Sequence, residues 1–272
     1  MIGKYRLVLV TPAGRRRYLE VLRSHILKCN LVDQWALWAN THDAEDLKWM
    51  DEAAKAEPRI AVDRPEWQKT CNPGNYEIFR YYDGCVDPNT IYIRLDDDIV
   101  WMGPDAIEKL AAARIANPKP VVLFGNIVNN GLTSYWNQKL GRLTDKHGEC
   151  KYECMCGVGW NNDEFALDLH RSFLAKPDAK SWALEDREFV DFERFSVNVF
   201  AFTGEMMKKW QSEEKVGQDE EMAIAVGKPR KENCPNGFVG DAVFVHYAFY
   251  TQRRKIDGHP EILARYRHLA GL

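Results

Sequence analysis

Apolar positions along the first 130 residues fall into short runs separated by stretches of helical spacing. The run "YRLVLV" at 5–10 predicts a first strand, ended by the turn Thr11-Pro12-Ala13-Gly14. Tyr18, Leu19, Leu22, Ile26 and Leu27 then share one helical face, which predicts a helix to about residue 28. Residues 34–38 predict a second strand, Ala44–Ala56 a helix capped by Asp43 or Thr41, and 59–62 a third strand. "DRPEWQKTCNPGN" reads as a loop, 76–82 as a helix, and Asp87-Pro88-Asn89 as a turn. A strand at 90–95 follows, then a helix at 104–117 and a strand at 121–124. From 131 to 195 the periodicity weakens while Gly, Asn, Cys and aromatics accumulate, as in an insertion that shapes a pocket. A strand at 196–202, a helix capped by Thr203, a late strand at 242–247 and a terminal helix at 260–269 complete the pattern.

Strand and helix alternating at this pace predict an α/β fold: a doubly wound, mostly parallel, Rossmann-like sheet flanked by helices, in one domain over 1–272. Such sheets bind ligands beyond the carboxyl ends of their strands. Thr11 to Gly14, Asn40 with Thr41, Asp63 with Arg64, and Asp96 to Asp98 all fall at such ends, so they are expected to converge on one crevice.

The stretch "TIYIRLDDDIVWM" supplies the chemistry. Ile91, Ile93 and Leu95 alternate as a strand, and three aspartates close it, although aspartate is a poor strand residue. Two carboxylates ~4 Å apart repel by roughly 4 kcal/mol at a surface-like dielectric. A divalent cation would offset that repulsion. Alternation puts Asp96 and Asp98 on one side and Asp97 on the other. Hard cations such as Mn²⁺ or Mg²⁺ take oxygen ligands and bridge phosphate oxygens, so Asp96 and Asp98 are the expected ligands. His246, at the end of the run "DAVFVH", is the expected third. Asp219 and Glu220 open "DEEMAIA"; the helix dipole explains acidity there, and a general base is the functional alternative.

Bulk properties narrow the choices. The chain has 272 residues, 45% hydrophobic and 12% aromatic, which describes a folded protein with ample core. A net charge of −3 provides no general basic field for nucleic acid. Arg15 to Arg17, Lys228 to Lys231 and Arg253 to Lys255 are local basic clusters, expected to be solvated faces. Seven cysteines and an N-terminal apolar run too short for a signal sequence point to reduced thiols and a cytoplasmic protein. Cys150, Cys154 and Cys156 cluster near His147 and Glu149, but their spacing matches no common zinc site, so a reduced loop is expected there. No stretch approaches the ~20 apolar residues of a membrane span.

"YIRLDDDIVWM", "GQDEEMAIAV" and "VFVHYAFYTQRR", in this order, resemble nucleotide-sugar-dependent glycosyltransferases of the GT-A fold, over nearly the whole chain. The resemblance implies a metal-dependent transfer of a sugar from a nucleotide-sugar donor, a UDP-sugar by family frequency, to an acceptor hydroxyl. It implies Mn²⁺ or Mg²⁺ on Asp96, Asp98 and His246, and a base at Asp219 or Glu220, with Gln218 where the family has Glu. It also implies nucleotide contacts from Thr11, Pro12, Asn40, Asp63, Arg64, Asn75, Asp97 and Arg253. Residues 1–130 would then bind the nucleotide-sugar and 131–272 the acceptor, a saccharide or glycan ahead of a hydroxylated DNA base. Tyr135, Trp136 and Trp160 are candidates for stacking on a sugar. A sugar nucleotidyltransferase is the alternative, using the same kind of cation site; such enzymes usually carry a Gly-rich loop with a basic residue just after strand one, for which "TPAGRRRY", with one glycine and three arginines, is a poor match. A non-catalytic nucleotide or carbohydrate binder is the remaining class.

Overall fold

The computed structural model describes residues 1–210 and 219–272, with the side chain of Asn75 outside the description. Strands β1 (Arg6–Ala13), β2 (Gln34–Ala39), β3 (Ile60–Asp63) and β4 (Thr90–Leu95) alternate with helices α1 (Arg16–Ile26) and α2 (Ala44–Ala56). They pair in parallel in the order β3-β2-β1-β4. This block is the Rossmann-like half expected from the alternating pattern. Asp43 caps α2, accepting from the N–H groups of Glu45 and Asp46, which settles the choice between Asp43 and Thr41.

The rest of the chain completes one sheet. After β5 (Ile99–Met102) come α3 (Ala106–Ala116), β6 (Leu123–Val128), α4 (Gly131–Lys139), α5 (Asp163–Ala175), β7 (Arg187–Glu188) and β8 (Val199–Thr203). β9 (Gly237–His246), α6 (Tyr250–Asp257) and α7 (Pro260–Ala270) close the chain. β8 runs antiparallel between β4 and β6, β6 pairs parallel with β9, and β9 carries β7 and β5 antiparallel along its length. The whole is a curled α/β sheet flanked by helices in a single domain, as expected.

Alternation along the strands divides the core between the two sheet faces. In β9, Val243 and Val245 join Tyr18, Val21, Phe173 and Tyr266 under α1, α5 and α7, while Phe244 faces the opposite cluster with Leu9, Ile93 and Phe200. Each large apolar side chain fully buried in this way contributes about 1.5–3 kcal/mol.

Some boundaries move for identifiable reasons. The expected helix at 76–82 is one short turn, Asn75–Ile78, followed by a tighter helix, Phe79–Gly84. There Tyr81 donates to Ala39 O at 2.6 Å and Tyr82 to Glu220 Oε1 at 2.5 Å, so long-range contacts set the local geometry. β6 continues through Asn126, whose Nδ2 donates to Trp182 O and Gly240 O at 2.9 and 2.7 Å. The 131–195 region contains the helices α4 and α5 and one further helical turn, Ala179–Trp182. Among the described residues no helix is long and apolar enough to cross a membrane.

Candidate cation and nucleotide site

The three aspartates leave β4 as a turn, and neighbouring strands fix each one. Asp96 N–H donates to Asn198 O at 2.8 Å, next to the start of β8. Asp98 O accepts from Tyr247 N–H at 2.9 Å, just beyond β9, where Ile99 also pairs with His246. The antiparallel β5–β9 pairing therefore brings a histidine from the end of the chain to the end of β4. Asp96, Asp98 and His246 each present one ligand atom within 4.8 Å of the others.

The donor set fits a hard divalent cation. Asp98 and His246 are nearly inaccessible, and Asp98 Oδ1 is buried with no hydrogen-bond partner. His246 Nε2 stands 3.4 Å from that oxygen. The His246 Nδ1 edge meets Asn129 O at 3.3 Å, so Nδ1 donates there and Nε2 is the atom that would face a cation. Asn129 holds this carbonyl in place with a left-handed backbone, φ 65°. Asn198 donates from Nδ2 to Asp96 Oδ2 at 2.6 Å and keeps a buried Oδ1 without a partner.

Arginines surround the cluster. Arg15, on the loop after β1, donates from Nε to Asp97 Oδ1 at 2.8 Å and from Nη1 to Asp98 Oδ2 at 2.9 Å, with a second contact from Nη2 to Asp97. Gly14 N–H donates to Asp97 Oδ2 at 3.0 Å. A Cβ at Gly14 would lie 2.9 Å from Asn40 O, so this close approach of two strand-end loops needs glycine. Arg253 Nη2 donates to Asp98 Oδ2 at 3.2 Å. Burial alone would push the Asp98 carboxyl up, but Arg15, His246 and Arg253 outweigh it and hold it below the usual carboxylate range. Burial opposes the Arg15 charge too, and Asp97 and Asp98 more than offset it, so its pKa is raised.

These groups line a cavity of about 510 Å³. Of the expected residues, Pro12, Asn40, Asp96, Asp97, Asp98, Asp219, Glu220, His246 and Arg253 line it. Thr11, Asp63 and Arg64 do not. Thr11 Oγ1 accepts from Trp35 Nε1 at 2.9 Å inside the core, Asp63 is exposed, and Arg64 pairs with Asp51 at 3.0 Å. The Asn75 side chain and Gln218 lie outside the described residues. Trp160 lines the cavity; Tyr135 and Trp136 stand apart from it around Tyr152.

The acidic helix start is fully engaged. Asp219 Oδ1 caps the turn by accepting from Met222 N–H at 2.9 Å. Glu220 is buried against Arg94, which donates from Nε at 3.1 Å and from Nη2 at 2.8 Å. Glu221 pairs with Arg194 Nε. Every one of the six carboxylates lining the cavity has a protein partner. Arg15, Arg94, Asn198 and Arg194 are contributors that spacing did not single out. The visible signals were a charged residue inside the buried strand two positions before the aspartates, and a basic loop after strand one.

The cysteine loop makes no comparable cluster. Gly159 N–H donates to Cys156 Sγ at 3.0 Å, and Cys154 Sγ faces Ser196 Oγ at 3.3 Å. Among the described residues, the Asp96, Asp98 and His246 group is what gathers at metal spacing.

No protein-family model matches the chain. No curated protein matches it either. Among solved structures, the chain is similar to the inositol-1-phosphate CTP transferase from T. maritima, with 10% identity, 98% of each chain covered and a TM-score of 0.50. It is also similar to CMP:2-keto-3-deoxy-manno-octonic acid synthetase complexed with CTP, with 10% identity, 97% and 99% coverage and a TM-score of 0.49. At this identity the likeness shows the fold alone, a Rossmann-like α/β sheet flanked by helices. The expectation of glycosyl transfer from a UDP-sugar is corrected here. The structure matched end to end is that of a CTP transferase, which favours the alternative drawn from the sequence over glycosyl transfer.

Proposed function

We propose that the chain is a cation-dependent nucleotidyltransferase, which transfers a nucleoside monophosphate unit from a nucleoside triphosphate to an anionic oxygen of a sugar- or polyol-like acceptor. The observation that best supports this is the setting of the Asp96, Asp98 and His246 cluster. Arg15 on the loop after β1 and Arg253 from α6 flank it with guanidinium donors suited to a polyphosphate. Arg15 stands where the alternative looks for a basic residue just after strand one, on a loop with a single glycine.

The reaction balances simply. An acceptor phosphate or carboxylate oxygen attacks the α-phosphorus, and a new O–P bond forms as the α–β phosphoanhydride bond breaks. The electron pair leaves with pyrophosphate. Such a nucleophile is already ionised, so no side chain has to remove a proton. When bound, Mg²⁺ or Mn²⁺ on Asp96, Asp98 and His246 would neutralise charge on the phosphates. Arg15 and Arg253 orient those phosphates and stabilise the negative charge that builds on the leaving group. Across the cavity, Arg194 offers a cation to the acceptor's anionic group. Trp160 and the 73%-exposed Tyr250 offer aromatic faces to its ring.

The test is pyrophosphate release from CTP, UTP, GTP and ATP, each against sugar phosphates, polyol phosphates and acidic sugars, with Mg²⁺ or Mn²⁺ and then EDTA. One triphosphate should yield pyrophosphate only when acceptor and cation are both present, with a product mass equal to acceptor plus nucleoside monophosphate. Absence of pyrophosphate in every pairing would overturn the reading.

A further inference from the structure

Arg94 is 2% exposed in the middle strand of the sheet, where burial of a lone cation would cost several kcal/mol. Its guanidinium is divided between two carboxylates. Nε and Nη2 form a fork on Glu220, and Nη1 bonds Asp96 Oδ1. Tyr82 Oη donates to the Glu220 oxygen that also receives Arg94 Nε. Burial pushes the Glu220 carboxyl up while Arg94 and Tyr82 pull against it, and three donors meet its two oxygens. The chain of contacts thus runs from Tyr82 through Glu220 and Arg94 to Asp96, one of the three groups facing the cation position.

We infer that Glu220 is a positioning residue for the cation site, acting through Arg94 on Asp96. With the fork occupied by Glu220, only one edge of Arg94 reaches Asp96, and part of the guanidinium charge is neutralised elsewhere. Asp96 is held from Oδ1 by Arg94 and from Oδ2 by Asn198, yet keeps negative charge for a cation. Without the Glu220 charge, the whole of Arg94 would be balanced by Asp96, and the arginine would compete with the cation. This inference rests on the cation site of the preceding reading and not on nucleotidyl transfer itself.

The experiment is Mn²⁺ binding to the full chain without nucleotide, read by electron paramagnetic resonance, on the parent, Glu220→Gln and the double variant Arg94→Met/Glu220→Leu. Glu220→Gln should bind Mn²⁺ about ten-fold or more weakly, since the buried counter-charge that shares the Arg94 guanidinium with Asp96 is lost. The double variant removes competitor and counter-charge together, and apolar replacements of a buried pair are commonly tolerated. It should bind Mn²⁺ at least as tightly as the parent. This reversal of sign is what a merely structural role would not produce. Parent-like affinity in folded Glu220→Gln overturns the inference, as does weakened affinity in the double variant, which decides the matter alone if the single variant does not fold. A parent that binds no Mn²⁺ removes the cation site and the inference with it. Normal Mn²⁺ behaviour without pyrophosphate release would remove only the nucleotidyl reading.

Discussion

Arg15 and Asp98 stand 2.9 Å apart, one on the loop after β1 and the other on the turn after β4, separated by 83 residues of chain. Their pairing joins the two strand ends between which a polyphosphate would lie. Arg15 is still partly accessible, with 31% of its side chain exposed, while Asp98 is buried. The arginine can therefore meet a ligand without leaving the carboxylate it neutralises.

Replacing Arg15 with Met should separate two functions of the site. Triphosphate affinity should fall by about ten-fold or more with loss of a charge-assisted contact. Mn²⁺ affinity should hold or rise, because a cation competing for Asp98 has gone. Calorimetric titration of each ligand against parent and variant checks both. A parallel loss of Mn²⁺ and triphosphate binding would show instead that Arg15 builds the cation site.

The parts of this fold written in local pattern were the parts that could be read from it. α2 combines amphipathic spacing with an aspartate one residue before its start, and its bounds came out unchanged. α4 shows the opposite case. Its buried face carries Thr133, Ser134 and Asn137, so hydrophobic periodicity had little to detect. The site divides in the same way. Three aspartates closing an apolar strand announce a problem in electrostatics, and a histidine ending a late strand is a natural partner. Arg94 and Glu220 lie 126 residues apart, and a cation in a strand pattern reads as solvent-facing until its partner is known. Glycosyl transfer was inferred from features that any polyphosphate-handling member of this fold class would share, which is why the strand ends were legible and the reaction was not.

Asp98→Asn tests the cation site directly. Asp98 is the carboxylate with a buried, unpartnered oxygen nearest His246 Nε2, so its neutralisation removes both charge and a ligand. Mn²⁺ affinity should drop by roughly a hundred-fold, in line with loss of a charged ligand in a partly desolvated site. Pyrophosphate release should vanish at cation concentrations that saturate the parent. Retained Mn²⁺ affinity would place the cation elsewhere.

Acid sensitivity should come partly from His170, packed against Tyr247, the residue after His246. His170 is fully buried, with Nδ1 2.8 Å from Tyr266 Oη and Nε2 2.6 Å from Tyr247 O. Burial pulls its pKa down from 6.5 to about 4. Between those values the unfolded chain takes up a proton that the folded chain refuses, so stability falls as pH drops below 6.5. The loss is about 2 kcal/mol near pH 5 from this residue alone. Urea unfolding of the parent and of His170→Gln at neutral and mildly acidic pH checks it. The variant should be less stable at neutral pH yet lose less on acidification; equal slopes would exclude His170 as a source.

Asp219→Asn distinguishes a proton-removing mechanism from the one proposed. Asparagine caps helices as well as aspartate does, so the contact to Met222 N–H survives and the fold should be undisturbed. If the nucleophile arrives already ionised, the variant should keep turnover within about three-fold of the parent, since removing a true general base costs about 10²–10⁴-fold. Measuring kcat at saturating cation and triphosphate isolates this step from binding. A collapse of kcat with unchanged KM would mean that Asp219 takes a proton from the acceptor, and the nucleophile would then be a hydroxyl and not an anionic oxygen.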